Sequence, residues 1–111
     1  MEAVLERLPQ VGQLTIQVSA PINYSARVAQ RQVGHFVANE ISYLLRADEP
    51  TLVVSDHLVW RVPVSLALPT TGPLGQVGTI DVDVETGQLS ITPEQIASMT
   101  HRAEELAQRA A

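Results

Sequence analysis

Leu58-Val59-Trp60-Arg61-Val62-Pro63-Val64-Ser65-Leu66-Ala67-Leu68 alternates for its whole length. Leu58, Trp60, Val62, Val64, Leu66 and Leu68 fall on one face, and Val59, Arg61, Pro63, Ser65 and Ala67 on the other. A period of two over this many residues is a strand with one apolar face. At ~3.3 Å per residue it is about 36 Å long, and a compact domain of this size has a radius of gyration of only about 13 Å. A straight strand would overhang such a domain. Pro63 is the expected remedy, because proline in a sheet sits at an edge or a bulge. The spacing therefore predicts a bend there.

Upstream, Thr51 to Val54 is a short β-branched run ended by Ser55-Asp56, residues that favour a tight turn. Before it the period changes to threes and fours: Ala29, Val33, Phe36, Val37, Ile41, Leu44 and Leu45. This predicts an amphipathic helix over Ser25 to Arg46, capped by Asn23 or Ser25 and stopped by Pro50. Gly34 weakens its middle or admits a close strand. Earlier still, Leu14, Ile16, Val18 and Ala20 alternate with Thr15, Gln17 and Ser19 as a half-buried strand. The opening segment, with Val4, Leu5 and Leu8 at helical spacing, is a turn or two of helix closed by Pro9 and Gly12.

Downstream, Pro69 to Gln76 (PTTGPLGQ) has turn composition throughout and is expected to be a loop. Thr79 to Val84 alternates again, Glu85-Thr86-Gly87-Gln88 forms a hairpin turn, and Leu89 and Ile91 complete the sheet. Thr92-Pro93-Glu94-Gln95 then opens a helix with a capping threonine, a proline at the first helical position and a glutamine three residues after the cap. Ile96, Met99, Ala103, Leu106 and Ala110 mark its apolar face. Consecutive strands with helices before and after them give an α+β fold: an antiparallel sheet carrying a long helix from the N-terminal half and a C-terminal helix.

The chain has 111 residues, room for one domain. Hydrophobic residues at 45% and charged residues at 17% belong to a globular protein. With no cysteine, disulfide scaffolds, thiolate metal clusters and thiol catalysis are excluded. Twelve acidic against seven basic residues argue against a nucleic-acid surface. No apolar run reaches the ~20 residues of a membrane span, and Met1 to Gln10 is unlike a signal peptide, so a cytoplasmic location is expected.

Several patterns bear on chemistry. Asp81, Asp83 and Glu85 share a strand face, and close carboxylates suit calcium or magnesium. An EF-hand loop starting at Asp81 would need glycine and glutamate where Thr86 and Thr92 stand. The acids are weak metal candidates beside their reading as a solvated strand face. Gly72, Gly75 and Gly78 recur every third residue, but a phosphate loop needs a helix after it and here a strand follows. His35, His57 and His101 lack the i, i+4 spacing of a helical metal site, and no serine lies in a G-x-S-x-G elbow. No catalytic residue and no cofactor is assigned. Trp60 reads as a core anchor.

Trp60 and Val62 on one strand, then Asp83, Thr86 and Gly87 at the end of another, form a pattern that resembles the PepSY family over about half the chain. The resemblance implies a non-catalytic module that contacts proteins or peptides, with family members often found in propeptides or envelope proteins. The expected function is a small binding or regulatory module whose partner is another protein or a second copy. Leu66 and Leu68 at an uncovered strand edge, together with Arg61, are the expected interaction residues, and the uncovered edge predicts a homodimer. The alternatives are an antitoxin- or inhibitor-like partner of a toxin enzyme, and an enzyme with a site between helix and sheet.

Overall fold

The computed structural model describes residues 3–4, 12, 17, 19–54 and 56–110. Among them six strands and two helices follow in the order β1 (Ala3–Val4), α1 (Ala26–Glu40), β2 (Leu45–Ala47), β3 (Thr51–Val54), β4 (Leu58–Leu68), β5 (Gly72–Asp83), β6 (Leu89–Ser90) and α2 (Pro93–Ala110). All strand pairs are antiparallel, in the order β1-β3-β4-β5-β6, with β2 also beside β4. One core cluster unites Ala29, Val33 and Val37 of α1, Val62, Val64 and Leu66 of β4, Ile80 and Val82 of β5, and Met99 of α2. Both helices therefore pack on the same face of the sheet, and the fold is α+β.

β4 has the bounds its alternation predicts. Its neighbour on one side changes partway along: β3 pairs with Leu58 to Arg61, and β2 with Val64 to Leu66. Pro63 lies at the junction. Its carbonyl accepts from the Asp48 N–H at 2.8 Å, so the donor that proline lacks would point to the same gap between β2 and β3. That is how a central strand tolerates proline. The register breaks come just after it, between Val64 and Ser65 and between Leu66 and Ala67, and the extra residues, Val77 and Leu74, belong to β5. The molecule is also elongated, 49 × 33 × 24 Å, which gives the long hairpin room. Because β4 is central, Val59, Ser65 and Ala67 on its other face are buried as well.

Two element boundaries differ from the sequence expectation. α1 ends at Glu40 instead of continuing to Arg46. Ile41 and Ser42 both donate to the Val37 carbonyl, and the Ser42 hydroxyl accepts from the Leu44 N–H at 3.2 Å, turning the chain. Leu45 then enters β2 opposite Leu66. Packing overrides periodicity here, because β3 covers only part of β4 and the remainder needs a strand partner. Gly34 of α1 faces this short strand, where an added Cβ would sit 3.8 Å from that of Ala47. The second correction concerns Pro69 to Gln76. Only residues 69–71 turn, and β5 begins at Gly72. Gly72 and Gly75 adopt φ of 78° and 152°, which a bulged strand can use and which composition alone reads as loop.

The caps form largely as predicted. Ser25 caps α1, its hydroxyl accepting from the Val28 N–H at 3.2 Å. Thr92 and Gln95 form a reciprocal capping box at 2.9 and 3.2 Å. Val4, placed in a helical segment by spacing, lies with its neighbour Ala3 in β1, against Val53 and Val54 respectively. Leu5 and Leu8, the strand residues Leu14, Thr15, Ile16 and Val18, and Ser55 of the expected tight turn lie outside the described residues.

Candidate interaction site

The acids of the second long strand do not converge. Asp81 faces Arg61 across the sheet, and Arg61 binds both its carboxylate oxygens, Nε to Oδ1 at 2.9 Å and an Nη to Oδ2 at 3.0 Å. Asp83 turns the other way in function. Its Oδ1 accepts from the N–H groups of Glu85 (2.8 Å) and Thr86 (3.1 Å), and its Oδ2 lies 3.3 Å from His57 Nε2. Burial pushes this carboxyl up, but the two backbone donors and the nearby imidazole outweigh it and hold Asp83 below its ordinary value. Glu85 lies beyond the strand end, exposed in the turn. Among the described residues no three His, Asp or Glu side chains gather as a metal site.

The turn that Asp83 organises is a latch for the start of α1. The Asn23 and Tyr24 N–H groups donate to the Val84 carbonyl at 2.9 and 3.1 Å, and the Asn23 side-chain amide reaches the Glu85 carbonyl at 3.0 Å. Trp60 donates its indole N–H to the Tyr24 carbonyl at 2.8 Å. Gly87, at φ 74°, lies under the Tyr24 ring, where an added Cβ would come within 2.5 Å of ring carbons. Trp60, Asp83, Thr86 and Gly87 thus act on one structural joint. Trp60 is half-buried, a tether as much as a core anchor.

A hollow of about 200 Å³ lies beside this joint, lined by Asp56, His57, Leu58 and Glu85 with Ser19 and Val54. His35 is exposed on α1, and His101 lies 3.3 Å from Glu105 on α2, so the three imidazoles stay apart. The Asp83 carboxylate facing His57 is bound into the turn, which makes it a structural acceptor.

Leu66 is not at an open edge, and Leu68 is half-buried with a strand partner on its β5 side. Leu66 is 2% exposed, flanked by Leu45 of β2 and Gly75 of β5, and Leu68 pairs with Gly72. The strand start that sequence reading treats as loop covers them from within the chain. Among the described residues, most of the outer side of β5 has no strand beside it. β6 pairs only with Asp81 and Val82. Val84 donates to Leu58 of β4, and Asp83 donates outward to Gln88, so even-numbered residues here point toward β4 and odd-numbered ones away. Thr79 thereby directs its N–H and C=O outward, two residues beyond the last β6 partner on that side. Across the Val77 bulge, Gln76 opposite Ser65 is outward as well.

α2 lies over this margin. Gly78 and Gly75 give it a seat: an added Cβ would meet Met99 Cγ at 2.8 Å and Leu106 Cδ1 at 3.3 Å. Met99 to Leu106 is seven residues of helix, about 10.5 Å, and Gly78 to Gly75 about 10 Å of strand. Gly75 and Gly78, two of the three recurring glycines, are the track on which α2 rides antiparallel to β5. Two adjoining hollows of about 160 and 340 Å³ run between them, lined by Gln76 to Thr79 on the strand and by Gln95, Ser98 and Arg102 on the helix. Sequence reasoning missed this groove, and the three-residue glycine spacing opposite a helical stripe was its one signal. No family model matches the chain, and neither a curated protein nor a solved structure matches it.

Proposed function

We propose that the chain is a non-catalytic, cytoplasmic module that works by contacting another protein. The observation that carries this reading is the outer edge of β5, where the backbone groups of Gln76 and Thr79 face outward under an overhanging helix. An open strand edge is a template for another chain, and a flanking helix supplies side chains to select it. Two further features support the reading. No helix among the described residues is long and apolar enough to cross a membrane. The net charge of −5 disfavours binding to polyanions. The resemblance to PepSY modules belongs to the same proposal, since its signature residues serve here to join α1 to the sheet, a scaffolding role.

Affinity capture from the source cells, with quantitative mass spectrometry, tests the reading. The bait is the wild-type chain beside Thr79→Pro, which removes an outward donor at an edge position where proline is tolerated. The proposal expects a protein held by the wild type and lost by the variant. No protein held by the wild type, or a turnover activity traced to the hollow beside His57, would overturn it.

A further inference from the structure

We infer that the groove between the outer edge of β5 and α2 binds a short, extended, acidic peptide segment, which adds a strand beside Gln76 to Thr79 and places a carboxylate on Arg102. This rests on the protein-contact reading and names the kind of partner and the residue that selects it.

The groove has two ends. At one, β6 occupies the space beside Asp81 and Val82. At the other stands Pro73, opposite Ala67; because the Ala67 N–H is directed to Leu44 on the far side of β4, Pro73 belongs to the outward set and offers no donor there. From Pro73 to Thr79 the edge runs about 20 Å, enough for a strand of roughly six residues. The Val77 bulge, the missing donor at Pro73 and the overhanging helix together oppose a long uninterrupted ladder. They also oppose a second copy pairing there: neighbouring strands lie ~4.8 Å apart, while two helices need 8–10 Å between axes, and each copy would bring its own α2 over its own β5. A partner that is a bare strand meets no such conflict.

Charge selects which strand. Arg102 lines the larger hollow beside Gln76, and among the described residues no ion pair engages it. Arg102 also lines the next hollow, with Glu105 three residues on and Arg109 seven, and Glu105 lies 3.3 Å from His101. Among the residues lining the two hollows of the groove, Arg102 is the charged side chain, a cation in a chain whose net charge is −5. A guanidinium beside outward backbone groups suits a carboxylate carried on an extended backbone, with bidentate geometry adding selectivity. Gln95 and Ser98 supply neutral donors and acceptors for the rest of the segment.

The test is selection of a displayed random library of peptides about seven residues long on the full chain, repeated on Arg102→Glu. The proposal expects enriched peptides with β-branched alternation and Asp or Glu at a fixed position. They should shift the backbone amide signals of Gln76 to Thr79 and bind Arg102→Glu about tenfold more weakly or worse. Selection on the variant should favour Lys or Arg at that position. Absence of enrichment, enrichment without an acidic position, or affinity indifferent to Arg102→Glu would overturn the proposal. So would sedimentation showing a dimer that buries these amides. Peptides that bind but shift signals elsewhere would overturn the groove while leaving the protein-contact reading intact, because that reading fails with the capture experiment or with a turnover activity beside His57.

Discussion

Trp60 and Tyr24, 36 positions apart, are joined by a 2.8 Å bond from the indole N–H to the Tyr24 carbonyl. This bond holds the segment that leads into α1 against the end of the sheet. The Asp83-to-Gln88 turn grips the same segment from below, through the Val84 and Glu85 carbonyls and through the close seat of the Tyr24 ring on Gly87. A turn, a strand and a helix start are thereby made one unit.

Gly87→Ala tests that unit. Its positive φ costs an alanine about 1–2 kcal/mol, and the clash with Tyr24 adds about 1–3. In a Tyr24→Ala background only the backbone part remains. Chemical denaturation should therefore show the substitution costing less in the double variant; equal costs in both backgrounds would mean the ring does not sit on the glycine.

Asp83 makes the joint sensitive to acid. Its folded value is lowered, so its stabilisation is complete above the ordinary value of about 3.9 and is lost as pH falls through the folded value. Asp83→Asn, which keeps the acceptor but removes the charge, should cost about 1 kcal/mol at neutral pH. That difference should close below about pH 4. Melts recorded across this range check it, and a gap that stays constant in acid would contradict the assignment.

The seat of α2 predicts a size compensation. Gly78→Ala places a methyl 2.8 Å from Met99 Cγ and should destabilise by about 1–3 kcal/mol. Met99→Ala alone empties a buried site and should cost about 2–5 kcal/mol. With both changes the new methyl occupies part of the space vacated, so the double variant should be more stable than the sum of the single losses implies. Additive losses would place α2 elsewhere.

Much of this architecture is legible in the residues. The period of two in Leu58 to Leu68 marks β4 to the residue, and Thr92 to Gln95 announces α2, because both signals are local. The end of α1 is not, since Ile41, Leu44 and Leu45 keep helical spacing while the core takes them in another geometry. Nor is the start of β5 legible, because glycine and proline signal turns unless the bulges and an edge position are known. That single misreading moves the open edge from Leu66 to Thr79 and hides the groove, whose two walls are about 20 residues apart in sequence. Arg61, singled out from the sequence, is bound to Asp81, and the arginine bordering the groove is Arg102.

Hydrogen exchange along β5 in the free protein, followed residue by residue, tests the open edge most directly. Ile80 and Val82 direct their N–H groups toward β4 and should exchange slowly, near the limit set by global unfolding. Thr79 lies between Gly78 and Ile80 in the same strand, and its N–H should exchange orders of magnitude faster, with Gln76 likewise fast. Thr79 protected as strongly as Ile80 would mean that the edge is already occupied, and the binding site proposed here would not exist.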